Sequence, residues 1–240
     1  MVVLVFETDG SLLLSFDLTM PRHYDNPEGN PELGDESARD LEILSNHISR
    51  WWGDVPEVFH EISSEYVHLD LHVVPARPEQ PYHIVITTGM SDRPMSGNNS
   101  DSYYCELLLA LPPDWPIDLK NLKEERFWWP FRHLKQAARF PHIFKTCLWY
   151  GHTIANEDPP QTFHETAPYC GGILSIPMLC PEEAQKIHVR EGKEVFFFSF
   201  LPLFEAELRF AWKNGSNALF DKLDKIELTE LIRMNRKSTV

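Results

Sequence analysis

The chain has 240 residues, of which 42% are hydrophobic and 12% are aromatic, and its formal net charge is −14. This apolar content suffices for one large ordered domain with a bulky core, which excludes a disordered chain. The negative charge argues against binding to a nucleic-acid backbone, and no apolar run approaches the ~20 residues of a membrane span. The four cysteines form no CxxC pair and are predicted to be reduced thiols of a cytoplasmic protein.

The N-terminal sequence predicts a β-hairpin. Two apolar runs, residues 2–6 and 12–18, flank an Asp9-Gly10 pair, and Asp-Gly between such runs favours a tight turn between two strands. The Pro-, Gly- and Glu-rich residues that follow indicate an extended linker. We therefore predict two parts: a hairpin and linker over residues 1–35, and a domain over residues 36–240.

The domain alternates helical and strand patterns. Residues 37–51 have apolar side chains at intervals of three and four, which predicts an amphipathic helix. A second helix is predicted to begin at Pro130 and to end at Pro141. Strands are predicted over 58–62, 66–74, 83–88, 103–111, 144–149, 172–178 and 195–203, a long loop over 155–169, helices over 204–213 and 217–234, and a basic tail over 233–237 that is expected to fray. This order predicts an α+β fold, a mixed β-sheet covered by helices.

The loop between the strands 83–88 and 103–111 is not a generic linker. Gly89 permits a positive φ, and Pro94 stiffens the exit of the loop. Asp92 and Arg93 either hold the loop to the domain or contact a partner, and both interpretations stay open. Ser91 lacks the GxSxG pattern of a nucleophile elbow, so nucleophilic catalysis is not predicted.

The sequence His68-x-Asp70-x-His72 is the one grouping that suggests metal chemistry. A strand repeats every two residues, so these side chains would share one face, with roughly 7 Å between successive Cα atoms. Imidazole and carboxylate groups at this spacing can share a zinc ion, which would suit a metal-dependent hydrolase. The interpretation that we favour is a hydrogen-bonded polar strand face, so no cofactor or metal is predicted.

Several sequence elements in a fixed order resemble the Suppressor of fused family. They are the segments 68–75, 87–95, 111–115, 129–130 and 151–154, which read HLDLHVVP, TTGMSDRPM, LPPDW, WP and GHTI. The resemblance runs from about residue 37 to about residue 203. It implies the fold of that family in a single-domain, bacterial-type member, and a binding module in place of an enzyme. It also implies sequestration of a protein: animal relatives sequester Hedgehog-pathway transcription factors, and bacterial relatives are often encoded beside toxins as candidate immunity proteins.

These observations lead to one functional hypothesis, a non-enzymatic cytoplasmic domain that sequesters or neutralises a protein partner. Residues 24–70 contain twelve acidic residues and two arginines, so a basic partner such as a toxin would be attracted. One binding mode is the addition of an extended partner segment to a sheet edge. His152 and Asn156 could line a recognition groove. The residues predicted to contact the partner are Asp70, His72, Thr88, Met90, Ser91, Asp92, Arg93, Trp115 and His152; no nucleic acid or membrane is expected.

Overall fold

Four α-helices and eleven strands make up the part of the chain that the structure, a computed structural model, describes: residues 2–6, 12–17, 35–61, 66–96 and 102–240. The helices are α1 (Asp35–Trp51), α2 (Glu125–Phe144), α3 (Glu205–Asn214) and α4 (Ser216–Leu223). The strands are β1 (Val2–Phe6), β2 (Leu12–Asp17), β3 (Glu57–Phe59), β4 (Asp70–Val74), β5 (His83–Thr88), β6 (Met95–Ser96), β7 (Ser102–Leu111), β8 (Thr153–Ala155), β9 (Gly171–Ser175), β10 (Lys186–Arg190) and β11 (Lys193–Leu203).

One mixed sheet holds the strands in the spatial order β2-β1-β8-β9-β11-β7-β5-β4-β3, with β10 beside β11 and β6 beside β7. Among the described strands all pairs are antiparallel except β7 with β11, which run parallel from the pair Tyr104–Val195 to the pair Leu108–Ser199. This parallel pair joins the strands of the first half of the chain to those of the second half. The predicted mixed sheet covered by helices is confirmed.

The sheet has an apolar core on each face because side chains alternate along every strand. Leu107 and Phe198 face α2, where Phe131 is fully buried against the same cluster. Their neighbours Leu108 and Phe197 face the opposite side, on which α1 packs. Further along that side α3 and α4 cover the ends of β9 and β11. The result is three layers, with α2 alone on one face of the sheet.

The helix α2 differs from its prediction at both ends. It begins at Glu125, continues through Pro130 and Pro141, and ends at Phe144, so the predicted strand over 144–149 is wrong. A proline inside a helix costs about 3 kcal/mol, mainly through the missing N–H bond and a steric clash. Complete burial of the Trp129 side chain beside Pro130 offsets much of this cost. The helix ends where Lys145 adopts a left-handed conformation, with φ of 51°.

Two smaller predictions are also corrected, and one strand was not predicted. The strand β4 begins at Asp70 and not at residue 66, and α4 ends at Leu223, followed by a short 3₁₀ helix in place of a continuous helix to 234. The strand β10 was not predicted, although its five residues, KIHVR, alternate polar and apolar side chains as a half-buried strand does. No helix within the described ranges is long and apolar enough to cross a membrane.

The N-terminal hairpin is confirmed in its strands. β1 and β2 are antiparallel, from Val2 opposite Asp17 to Phe6 opposite Leu12. The turn at 7–11 and the linker at 18–34 lie outside the described residues. β1 also pairs with β8, so the hairpin extends the domain's sheet. The division into residues 1–35 and 36–240 stays a prediction.

The C-terminal tail is fixed to the domain, so the prediction that it frays is wrong. Both Arg236 terminal nitrogens donate hydrogen bonds to the fully buried Glu207 carboxylate, over 2.6 and 2.7 Å. The guanidinium also lies over the Phe204 ring, 4.4 Å from its centroid. A buried carboxylate needs a paired charge, and the basic tail supplies it.

Replacing Arg236 by alanine tests this anchor. The change leaves Glu207 buried without its cation, so we expect the free energy of unfolding to fall by about 3–5 kcal/mol in urea denaturation. Arg209→Ala is the matched control, because Arg209 forms an exposed pair with Glu205 on the same helix and should cost less than about 1 kcal/mol. Equal losses for the two variants would contradict the structural role of the tail.

Candidate functional site

The loop between β5 and β7 turns at Gly89, which has φ of 95° and ψ of −20°. This left-handed conformation favours glycine. A Cβ at this position would also overlap the His68 carbonyl oxygen, so the loop packs directly on the residue pair that precedes β4. Two separate constraints therefore require glycine at this turn.

A buried carboxylate on the neighbouring strand β7 holds this loop through hydrogen bonds. Glu106 of β7 is fully buried and accepts hydrogen bonds from Thr87 Oγ1 at 2.6 Å, Ser91 Oγ at 2.6 Å and the Ser91 amide at 2.9 Å. Burial raises the pKa of Glu106 to about 7, and the three donors oppose that shift. The Ser91 hydroxyl is thus engaged inside the protein, where it positions the loop.

The loop is also anchored on its apolar side. Met90 is fully buried, and its carbonyl accepts a hydrogen bond of 2.9 Å from His142 Nε2 on α2. The Cys105 thiol lies 3.8 Å from the Met90 sulfur and 3.9 Å from the Met95 sulfur. Arg93 and Pro94 are exposed. Contacts with the protein interior therefore fix the described segment 89–94, which we call the Gly89 loop.

The three residues of the His68-x-Asp70-x-His72 pattern do not converge. Asp70 lies 2.9 Å from His60 Nδ1 and 3.2 Å from His68 Nε2, but His72 Nε2 is 3.0 Å from Thr88 Oγ1. Burial lowers the pKa of His72 to about 4 although Asp70 favours its charged form. His68 precedes the strand, so the period-two face does not form. In the described parts of the chain no three His, Cys, Asp or Glu side chains are placed to hold a metal, and the metal-hydrolase alternative has no support in this geometry.

Internal ion pairs neutralise part of the acidic region. Asp40 of α1 is buried and lies 2.8 Å from the Lys193 ammonium, and Glu61 lies 2.9 Å from the Lys135 ammonium. The Asp70 carboxylate lies within hydrogen-bond distance of His60 and His68. The region is therefore not a uniformly negative surface. Its exposed, described carboxylates are those of Glu36, Glu42, Asp54 and Glu57.

The predicted contact residues fall in separate places. Asp70 and Thr88 pair across β4 and β5 beside the Gly89 loop. Trp115 follows the far end of β7, where its indole N–H donates a 3.2 Å hydrogen bond to the Phe127 carbonyl. His152 is buried just before β8. The structure therefore brings the loop residues together with Asp70 and His72, and leaves Trp115 and His152 apart from them.

An apolar cavity of about 220 Å³, not predicted from the sequence, lies between α2 and β8. Its lining is mainly aliphatic and aromatic, and the Asn156 side chain stands among it. The apolar lining residues are Ala137, Phe140, Ile143, Phe144, Ile154, Ala155, Phe163 and Phe200. We call this cavity, together with the adjoining edge of β8, the α2–β8 groove.

The groove carries no free charge among its described lining residues. His133 lies in the wall with its ring 3.9 Å from the Phe163 ring, and burial lowers its pKa to about 3, so it is neutral. Its Nε2 atom is buried and has no hydrogen-bond partner in the described structure. Arg139, the lining cation, is paired with Glu61. The groove therefore suits an uncharged, mainly apolar group.

The backbone of β8 pairs with β9 on one side and with β1 on the other. Leu174 N donates to His152 O at 2.9 Å and Asn156 N donates to Cys170 O at 2.8 Å, so the even-numbered residues face β9. By alternation, the N–H and C=O groups of Thr153 and Ala155 face away from β9, towards β1. Because β1 pairs with this side of β8, another strand would bind these groups only in place of β1.

The groove was missed because residues 144–149 were interpreted as a strand. That interpretation placed Phe144 in the sheet and ended the helix at Pro141. A signal was available: Ala137, Phe140 and Phe144 recur at intervals of three and four, which continues the apolar stripe of α2 beyond the proline.

Comparison with known proteins gives one family match and several structural matches. The family model described as Suppressor of fused protein matches residues 65–237. A Suppressor of fused homolog from Neisseria gonorrhoeae superposes with a TM-score of 0.61 at 17% identity, covering 86% of this chain and 97% of that one. A structure of the Sufu–Fu complex gives 0.57 at 15% identity, with coverages of 83% and 92%. No curated protein matches the sequence.

Gly89→Ala tests the turn. The added methyl group meets both a left-handed φ and the His68 carbonyl, so we expect a loss of more than about 3 kcal/mol in the free energy of unfolding. Gly192→Ala is the control, since Gly192 has φ of 74° but no atom within 4 Å of the added carbon. Its expected cost is about 1 kcal/mol, from backbone strain alone. Similar losses would show that the contact with residue 68 does not constrain the loop.

Glu106→Gln tests the buried carboxyl group. Between pH 4.5 and about 7 the folded protein retains a proton on Glu106 that the unfolded chain has released, so this group lowers stability as the pH rises through that window. The variant does not titrate there. As the pH rises through this window, we expect the free energy of unfolding of the variant to increase relative to that of the wild type by up to about 1.4 kcal/mol per pH unit.

The measurement is urea denaturation of both proteins across that pH window. Buried histidines such as His72 and His142 have lowered pKa values and give the opposite slope, but they are common to both proteins and cancel in the difference. Parallel stability curves for the two proteins would rule out the raised pKa of Glu106.

Proposed function

The chain belongs to the Suppressor of fused family, and from this membership we propose that it is a non-enzymatic, cytoplasmic domain that sequesters or neutralises a protein partner. Sufu in the Sufu–Fu complex is a family protein bound to another protein, which supports a role in protein interaction. The α2–β8 groove is the observation that carries the proposal for this chain.

The shape of the groove fits an extended segment of a partner. If β1 leaves β8, the backbone groups of Thr153 and Ala155 would bind the main chain of an added strand, and the cavity beside Ile154 would take an apolar side chain. Main-chain bonds would supply affinity, and the neutral apolar lining would select the side chain. A partner segment with alternating apolar residues and no charge at the central position fits best.

The acidic charge supports a basic partner, such as a toxin that acts on nucleic acid if the chain is bacterial. The exposed carboxylates Glu36 and Glu42 are on α1, which packs on the face of the sheet opposite to α2. They are therefore too remote to contact a segment in the groove. Their effect would be on the association rate, which should fall as salt is added.

The residues that the sequence analysis predicted as partner contacts divide by exposure. Arg93 is exposed and can contact a partner directly, and Asp92 and Trp115 are partly exposed. The remaining predicted residues are buried, so their part in binding is to fix the shape of the surface. They are Asp70, His72, Thr88, Met90, Ser91 and His152.

Ile143→Glu tests the groove. Ile143 is partly exposed in the lining, so a carboxylate there should exclude an apolar side chain and leave the core intact. Tagged full-length proteins are used to capture partners from native lysate, and mass spectrometry quantifies each captured protein. We expect a partner of the wild type to be captured at least ~10-fold less by the variant, a loss of about 1.4 kcal/mol in binding.

The matched control is Leu119→Glu, which places the same charge at a side chain that is 65% exposed outside the groove. This variant should capture the partner as well as the wild type does, and both variants should keep the wild-type melting temperature. Undiminished capture by Ile143→Glu, or no specific partner for the wild type at any salt concentration, would count against the proposal.

A further inference from the structure

The edge of β8 that belongs to the groove is paired with the chain's own N-terminal hairpin. Val5 of β1 lies opposite Ile154, and Phe6 lies opposite Thr153, in an antiparallel arrangement. Ile154 and Ala155 line the cavity on the same short strand. The hairpin therefore already performs the strand addition that an extended partner segment would perform.

We propose that the hairpin is an intramolecular competitor, which occupies the strand position of the α2–β8 groove until a partner segment displaces it. The partner in this statement rests on the proposed function, whereas the displacement of the hairpin can be measured without any partner. The occupant that would replace β1 is an extended protein segment paired antiparallel or parallel to β8.

The extent of pairing suits a displaceable element. β1 meets β8 over two residue pairs, whereas it meets β2 over five. The hairpin is thus held together more extensively than it is held to the domain, so it can leave as a unit. Residues 18–34 attach it to α1, and this covalent link keeps the hairpin available to return to the edge.

The hairpin is also an addition to the part of the chain that matches the family. The family match begins at residue 65, well after β1 and β2. At the opposite edge of the sheet, β3 has three residues, and Pro56 and the exposed Glu57 stand at its start, which is a common protection against strand addition. A strand that covers the edge of β8 therefore affects the groove, whereas β3 at the opposite edge has its own protection.

Phe6→Pro removes the pairing selectively. Thr153 directs its N–H and C=O groups towards β1, so its partner Phe6 directs its own groups towards β8. Proline has no N–H, so the bond to β8 is lost. The groups of Val5 point to β2 by the same alternation and are kept. Phe6→Val is the matched control, because it keeps the N–H.

Amide hydrogen exchange of the full-length proteins is the first measurement. We expect the Thr153 amide to exchange at least ~10-fold faster in Phe6→Pro than in the wild type and in Phe6→Val, because it loses its strand partner. The Asn156 amide, which donates to the Cys170 carbonyl just before β9, should exchange equally slowly in all three and shows that the domain remains folded. Equal exchange of Thr153 in all three proteins would overturn the proposal.

A synthetic peptide of residues 2–17 is the probe for the second measurement. If the edge of β8 accepts a strand once it is vacated, the labelled peptide should bind Phe6→Pro at least ~10-fold more tightly than it binds the wild type or Phe6→Val. Faster exchange without this gain in peptide affinity would also overturn the proposal, because the edge would then be open and unable to take up a strand. Neither result depends on whether Ile143→Glu loses a captured partner, so the proposed function fails or succeeds separately.

Discussion

The parallel pairing of β7 with β11 is the constraint on which the sheet depends. β7 carries β5, β4 and β3 on one side, and β11 carries β9, β8 and the hairpin on the other. Since this pair is the only described connection between the two sets of strands within the sheet, each helical layer rests on it as well. Leu107 and Phe198 on one face, and Leu108 and Phe197 on the other, bury both sides of the same seam. A parallel seam buried on both faces is the usual setting for such strands.

Buried ion pairs also connect parts of the molecule that are distant in sequence. Asp40 with Lys193 ties α1 to the start of β11, and Glu207 with Arg236 ties α3 to the tail. Glu106 is different, because it has hydroxyl and amide donors in place of a cation and its pKa is raised to about 7. It sets the conformation of the Gly89 loop at the cost of some stability near neutral pH.

The sequence predicted the sheet well because β-branched and aromatic runs, such as those around Ile86 and Phe197, have few alternatives to a buried strand. It predicted both helix boundaries around the prolines poorly. Pro141 has the local chemistry of a helix end, and only the tertiary contacts of Phe140 and Phe144, whose rings are 4.7 Å apart, explain why the helix continues.

The candidate site was harder to predict from the sequence than the fold, because it too depends on tertiary contacts. The residues of the Gly89 loop were identified from their types, but their burial depends on Glu106, which lies fifteen positions beyond Ser91 in the chain. The α2–β8 groove needs α2, β8 and β11 to be in place before it exists. Spacing along the chain reports local conformation, whereas a cavity is a property of elements that are distant in sequence.

The order of the strands has a consequence for folding of the nascent chain on the ribosome. β7 leaves the ribosome long before β11 has been made, and at synthesis rates of ~5–20 residues per second the nascent chain waits several seconds for its central partner. During that delay the apolar edge of β7 is unpaired, in a cell crowded with other nascent chains. Holdase chaperones that shield exposed strands would therefore have their greatest effect on yield in this interval.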